Sequence, residues 1–474
     1  MWMLYLFTGM NTVEILSRII DGVYMSLFLI HVALLGGCTG DKTQTEGMNP
    51  GECDDGADND GDGDFDCIDS DCLGAPVCSE EDTAEIENDT GTVEQDTGEF
   101  DTGAEDTTEQ DTDTSQSTDQ KIIAYFAEWG VYGRDYHVED IPVTQVTHVM
   151  YAFSNPTPEG TCEIHDPYAA LELNGGSLYL LQDLKDANPN LKTLISLGGW
   201  TLSEHFSTIA SDPIKRSAYV DSCIDFMLTY GFDGIDVDWE YPVGGGLYAG
   251  GPEDKENYTL LLSEFRTKLD QIAPGYLLTI AAPAGATTIP NMDVPNLAVP
   301  LDWINVMAYD FHGPWENTTN HQAPLYSNSM QPDQNTVEIA IQTYIDAGVP
   351  PEKLILGVPF YGKTWSAVSG GDGLFHSGSV GPGNYEDGTM DYHHIVDNYL
   401  NNSDFTRYWD SEALVPYLHS ETEQIFISYE DTESLQYKID FIFEKGLGGA
   451  MFWELSGDTQ NNELGSFLSE SLLE

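Results

Sequence analysis

The segment FDGIDVDWEYP, residues 232–242, places four acids, Asp233, Asp236, Asp238 and Glu240, within eight positions of a mostly apolar run. Its composition is β-rich, and from Ile235 to Tyr241 apolar and acidic residues alternate. On a strand, side chains point to opposite faces with period two. Ile235, Val237 and Trp239 then share one face. Asp236, Asp238 and Glu240 share the other, roughly 6.5 Å apart along the strand. An ordinary half-buried strand would turn such a face to water. The flanking sequence argues otherwise. DPIKRSAYVDSCIDFMLTYG (212–231) precedes the strand and DKENYTLLLSEFRTKLDQI (254–272) follows it, and both read as helices. Alternating helix and strand implies a parallel sheet covered by helices, with both faces buried. Three carboxylates facing inward there are costly unless they serve chemistry.

Working outward, seven more strand-like runs follow the same rhythm. They are KIIAYFAEWG (121–130), THVMYAFSN (147–155), LKTLISLGGW (191–200), YLLTIAAPAG (276–285), DWINVMAYDF (302–311), KLILGVPFYGKTW (353–365) and LGGAMFWELSGD (447–458). A helix is expected around 176–188. Eight strands separated mostly by helices predict an α/β chain: a closed (β/α)8 TIM barrel over 121–474. The extra length between strands 7 and 8, at about 366–429, predicts a small α+β insertion.

The first 120 residues differ. The chain of 474 residues carries 81 acidic and 16 basic residues, a formal charge of −65, and no Lys or Arg lies between Lys42 and Lys121. That charge excludes nucleic acid as a partner, which needs a basic patch, and argues against anionic lipid. The apolar run VYMSLFLIHVALL at 23–35 is short for a membrane span and fits an export signal over 1–38. The LGGC that ends at Cys38 resembles the lipobox of bacterial lipoproteins, which implies a lipid anchor at Cys38. After a linker at 39–50, residues 51–79 hold Cys53, Cys67, Cys72 and Cys78. In an exported stretch these predict two disulfides, with three connectivities open. Within the same stretch, DNDGDGDFDCID (58–69) has calcium-loop spacing. Asp58, Asp60 and Asp62 fall at positions 1, 3 and 5, Gly63 at 6, Asp66 at 9 and Asp69 at 12. With Asp64 between them, these are the candidate calcium ligands; the alternative is an acidic spacer. Residues 80–120, with repeated DTG, are too polar to bury a core and read as an extended tether.

Several long motifs in the barrel region resemble the bacterial chitinases of glycoside hydrolase family 18. FDGIDVDWEYP carries that family's DxxDxDxE pattern. LISLGGW carries SxGG as Ser196, Gly198 and Gly199, and INVMAYDFHGPW carries MxYD as Met307, Tyr309 and Asp310. The resemblance covers 121–474. It implies substrate-assisted hydrolysis of β-1,4-linked N-acetylglucosamine with retention of configuration. The sugar's own acetamido oxygen would attack the anomeric carbon, so no protein nucleophile is needed.

The resemblance also implies roles. Glu240 is the general acid and then the base. Asp238 orients the acetamido N–H, Asp236 shares its proton and Tyr309 holds the acetamido oxygen. Asp310 contacts the sugar or adjusts Glu240, and Trp453 forms an apolar floor. Met307, Tyr125, Phe153, Trp200, Trp315 and Tyr241 complete the expected substrate-binding set, with Trp129 and Trp365 as further candidate stacking sites. Lys363 stands where the family often has Arg. Tyr309 and Trp453 also suit a plain barrel core. Asp233 is expected to be supportive. Cys162 and Cys223 are expected to be unbridged, and His137, His148, His312 and His321 to hydrogen-bond rather than bind metal.

The expected protein is therefore an exported, monomeric chitinase acting on chitin or chito-oligosaccharides, with no catalytic cofactor. It would be extracellular or anchored at the outer membrane. The alternatives are an endo-β-N-acetylglucosaminidase and a catalytically inactive sugar-binding relative.

Overall fold

The computed structural model describes residues 120–473. The export-like segment with Cys38, the four cysteines of 51–79 and the candidate calcium ligands Asp58, Asp60, Asp62, Asp64, Asp66 and Asp69 lie outside the described residues.

Eight parallel strands close into a barrel: β1 (Lys121–Ala127), β2 (His148–Pro156), β3 (Lys192–Gly198), β4 (Gly234–Asp238), β5 (Leu277–Pro283), β6 (Trp303–Met307), β7 (Leu354–Pro359) and β8 (Gly449–Trp453). β1 pairs with both β2 and β8, which leaves no open edge in the ring. A short strand, Cys162–Ile164, adds antiparallel to the end of β2.

Helices α1 (Ser177–Ala187), α2 (Pro213–Tyr230), α3 (Asp254–Ile272), α4 (Val337–Asp346), α5 (Thr432–Lys445) and α6 (Glu463–Leu472) accompany the barrel. Local sequence sets their ends. Asp212 accepts hydrogen bonds from the N–H groups of Ile214 and Lys215, Pro213 opens α2, and Gly231 ends it at φ 76°. The free thiols of Cys162 and Cys223 are both buried.

Strand alternation sorts the core into two layers. Ile235, Val237 and Trp239 join the large cluster outside the barrel wall, where Trp239 stacks on Phe206 at 5.4 Å and meets Tyr258 edge-on at 5.2 Å. Inside lies a smaller cluster of Ile123, Tyr125, Met150, Leu194, Trp303, Ile355 and Met451. The acidic face of β4 points into this inner layer.

The run at 353–365 is not one strand, contrary to expectation. It breaks at Phe360, whose N–H donates to the Trp453 carbonyl and whose ring stacks on Phe452 at 4.2 Å. The second half, Tyr361–Ser366, enters a separate antiparallel sheet. That sheet runs Ser379–Val380, Tyr361–Ser366, Ile425–Ser428, Val415–Ser420, Thr406–Asp410, and Thr389–Asp391 also pairs with Tyr361–Ser366. Both halves are buried and β-rich, so composition hides the break. Trp365 is a second correction. It is fully buried in the core of this sheet with Val368, Tyr417 and Phe426, and its indole N–H donates to the Glu316 carbonyl. No sugar can stack on it.

Candidate active site

Asp236 is 0 % exposed and sits at the centre of a hydrogen-bond cage. Tyr125 Oη and Ser196 Oγ each donate to Oδ2 at 2.8 Å. Thr279 Oγ1 donates to Oδ1 at 2.6 Å and Asn305 Nδ2 at 3.3 Å. The donors come from β1, β3, β5 and β6, so the carboxylate ties the barrel interior together. Burial raises the Asp236 carboxyl, and the four donors offset that rise only in part. Four donors match the acceptor sites of an ionised carboxylate.

Asp238, one step nearer the mouth, is also buried, and its Oδ1 has no partner. Burial pushes its carboxyl well up, and the charges of Glu240 and Asp236 add to that. Glu240 lies two residues beyond the end of β4 and is half-buried. Burial pushes its carboxyl up to about 7; the Tyr241 hydroxyl opposes this and the charge of Asp310 reinforces it. Asp238 and Glu240 therefore both favour the protonated state more than free carboxyls do. Asp233 stands apart, at the opposite end of β4. It pairs with Lys185 and Lys192 and accepts from the Thr193 N–H at 2.9 Å.

The backbone around the row is tightly packed. Gly198 and Gly199 have φ of 99° and 78°. A Cβ on Gly198 would come within 2.6 Å of the Asp238 carbonyl, and one on Gly199 within 2.5 Å of the Phe153 ring. The Gly199 N–H donates to the Asp238 carbonyl at 2.7 Å. Ser203, which the sequence did not single out, locks this junction. Its Oγ accepts from the Glu240 N–H at 2.9 Å and donates to the Gly199 carbonyl at 2.8 Å. A lone serine in a turn carries no sequence signal for such a role.

The remaining candidates divide by exposure. Tyr309 is half-buried, its hydroxyl 3.8 Å from Met451 Sδ; burial, with the Asp238 charge, raises its hydroxyl well above the usual range, so it stays a donor. Met307 packs against the inner layer. Tyr125 is 1 % exposed and spends its hydroxyl on Asp236, so it supports the carboxylate rather than lining open space. Phe153 is also buried and stacks on Trp453 at 5.8 Å, backing it from behind. Trp129 lies 6.1 Å from Trp453 and is partly exposed.

Trp200 and Trp315 are 46 % and 59 % exposed, and Trp200 meets Tyr241 edge-on at 6.5 Å. Asp310 adopts φ 54° and pairs with Lys363 Nζ at 3.3 Å. Lys363 is buried; its Nζ lies over the rings of Tyr361 and Trp315 at 4.9 and 5.6 Å and donates to Thr389 Oγ1. Among the described residues no cation pairs with Asp236, Asp238 or Glu240, and no group of three or more His, Cys, Asp or Glu is arranged to hold a metal ion. His137, His148, His312 and His321 hydrogen-bond to Asp135, Thr147, Glu316 and Asp410.

A parallel barrel with a buried row of acids at the carboxyl end of one strand, capped by a carboxyl near neutrality and flanked by exposed tryptophans, has the form of a barrel glycosidase. Comparison with known proteins narrows this. The profile of the glycosyl hydrolases family 18 matches residues 121–458, and the chain belongs to that family. Chitinase A1 of Niallia circulans is 43 % identical over 402 residues; the match takes in 73 % of this chain and 58 % of that protein. Endochitinase 1 of Metarhizium robertsii is 38 % identical over 357 residues, covering 71 % of this chain and 81 % of the relative. Among solved structures, the Group IV chitinase of Ostrinia furnacalis in complex with allosamidin superposes with a TM-score of 0.69 at 32 % identity. That superposition covers 75 % of this chain and 98 % of the other.

Proposed function

We propose that the barrel hydrolyses β-1,4 linkages between N-acetylglucosamine units of chitin or chito-oligosaccharides. The observation that carries this reading is the graded row on β4: Asp236 caged by four donors, Asp238 with an unpartnered oxygen, and Glu240 raised to about 7. All three carboxyls rise from one strand and approach the sugar from one side. Such a set supplies a proton donor without placing a nucleophile on the opposite face, which suits an attacking group carried by the substrate.

Glu240 protonates the leaving oxygen and then takes a proton from water. Asp238, whose Oδ1 has no hydrogen-bond partner, accepts the acetamido N–H and aims the acetamido oxygen at the anomeric carbon. Asp236 holds negative charge beneath it, so Asp238 retains or passes a proton as Glu240 changes state. Tyr309 donates to the acetamido oxygen. Trp453, backed by Phe153, receives the apolar face of the ring, and Trp200 and Trp315 extend the apolar surface to neighbouring sugars.

Product analysis on N-acetylated chito-oligosaccharides tests the reading. The native protein should release products with retained anomeric configuration, and Glu240→Gln should lose at least about a thousandfold in kcat. Oligomers stripped of acetyl groups should resist cleavage. Equal cleavage of both polymers would remove the substrate-assisted mechanism.

Features outside the described residues extend the proposal to an exported, Cys38-anchored protein with a calcium-binding segment at 51–79. They rest on the apolar run before LGGC and on the Asp58–Asp69 spacing. Titration calorimetry of the full chain with Ca2+ tests the last point: no heat would return that segment to an acidic spacer.

A further inference from the structure

Three separate pieces of chain converge on Arg134, in the loop after β1. Its Nε and Nη2 donate to Asp391 Oδ2 and Oδ1 at 3.1 and 3.2 Å. Nε also lies 3.6 Å from Glu454 Oε1. The guanidinium rests 4.1 Å from the centre of the Tyr385 ring, and the Tyr385 hydroxyl donates to the Gly133 carbonyl at 2.9 Å.

These contacts join unlike elements. Asp391 ends the second-sheet strand Thr389–Asp391, where Asn384 Nδ2 also donates to it. Glu454 directly follows Trp453, and its carboxylate accepts from the Ser456 hydroxyl and N–H. Both carboxylates are buried, and one guanidinium serves the two. A bidentate fork stacked on an aromatic ring fixes direction as well as charge, which a lysine cannot do.

The line of contact continues into the groove. Two residues before Asp391, Thr389 receives the hydrogen bond from Lys363, the cation that pairs with Asp310 and lies over Trp315. On the other side, Glu454 is the covalent neighbour of Trp453. We propose that Arg134 is a positioning residue: it clamps the second sheet to the chain beside Trp453, so that Lys363, the Trp315 ring beneath it and the indole floor are held in one register along the sugar chain. The inference rests on the chitinase reading and adds to it a determinant of grip that touches no substrate.

The variants Arg134→Lys and Arg134→Gln test it. Lys keeps the charge and loses the fork; Gln loses both and leaves Glu454 without a cation and Asp391 with only His393 beside it at 3.6 Å, which threatens folding. Melting is followed by circular dichroism. Affinity for the N-acetylglucosamine hexamer and dimer is measured by tryptophan fluorescence with Glu240→Gln as background, so that no turnover intervenes. The folded Lys variant should bind the hexamer about fivefold more weakly and the dimer with little change, because only the hexamer spans floor and wall. Kinetics on the active background should show the same loss in KM, with kcat within about twofold.

A folded Lys variant that binds the hexamer as tightly as the parent overturns the inference, even with a lowered melting temperature. If the Gln variant does not fold, the Lys variant alone decides. A native protein that neither binds nor cuts the hexamer overturns the chitinase reading and this inference together. Normal cutting with unchanged Lys-variant binding removes this inference alone.

Discussion

Glu240 is held where ionisation is costly, and this has a consequence for stability as well as for rate. Its carboxyl is raised from 4.5 to about 7, mainly by burial. Protonated, it suits the fold; ionised, it does not. The stability that this group contributes is therefore full below pH 4.5 and declines as pH rises toward 7. Glu240→Gln, inactive, should be more stable than the parent at pH 8 by on the order of 2 kcal/mol, and no more stable at pH 4. Paired urea titrations at the two values check this; equal gains at both would point to packing instead. Lys363 bears on the same proton from a distance. It partly offsets Asp310, whose charge helps to raise Glu240. Lys363→Met should move the alkaline limb of the kcat profile upward by about half a unit, while Lys363→Arg leaves it in place. A limb unmoved in both would remove Lys363 from the electrostatics of the site.

At the scale of the element, β4 was legible because its period-two pattern is local. Alternation alone set Asp236 and Asp238 on the inner face, with Glu240 continuing their row past the strand's end, and Ile235, Val237 and Trp239 on the outer. What the alternation could not show is what meets those acids. Tyr125, Ser196, Thr279 and Asn305 come from four other strands, and only closure of the ring brings them to Asp236. The break at Phe360 and the burial of Trp365 escaped for a related reason: a continuous β-rich run reads the same whether one sheet buries it or two do.

β2 carries its own pH signature. His148, at its first position, packs edge-on against Trp303 at 4.8 Å. Burial, with Lys121 nearby, lowers its imidazole to about 3 from 6.5. The unfolded chain takes up that proton first, so stability present above pH 6.5 is lost as pH falls toward 3. His148→Gln should flatten the acid side of the stability curve by on the order of 2 kcal/mol between pH 6.5 and 4. Denaturant midpoints across that range would show it, and parallel curves for parent and variant would count against it.

For the whole molecule, charge dominates. Residues 121–474 hold 51 of the 81 acids and 14 of the 16 bases, so the barrel works against its own repulsion. Salt screens that repulsion over about 10 Å at 0.1 M. The barrel's melting temperature should rise by several degrees between 10 mM and 0.5 M NaCl, read by calorimetry. A flat or falling response would mean that its ion pairs, such as Arg134–Asp391 and Arg407–Asp431, outweigh the excess.

The pleat of β4 also sets what kinds of sequence change the protein can survive. Swapping a side chain on that strand alters one position. Removing a single residue between Gly234 and Asp238 would turn the segment over: aliphatic groups would enter the ring and acids would press into the packing beneath the helices. Lineages of this chain should therefore vary in letters only on the strand's apolar face while its length stays frozen, with insertions and deletions confined to the loops beyond it.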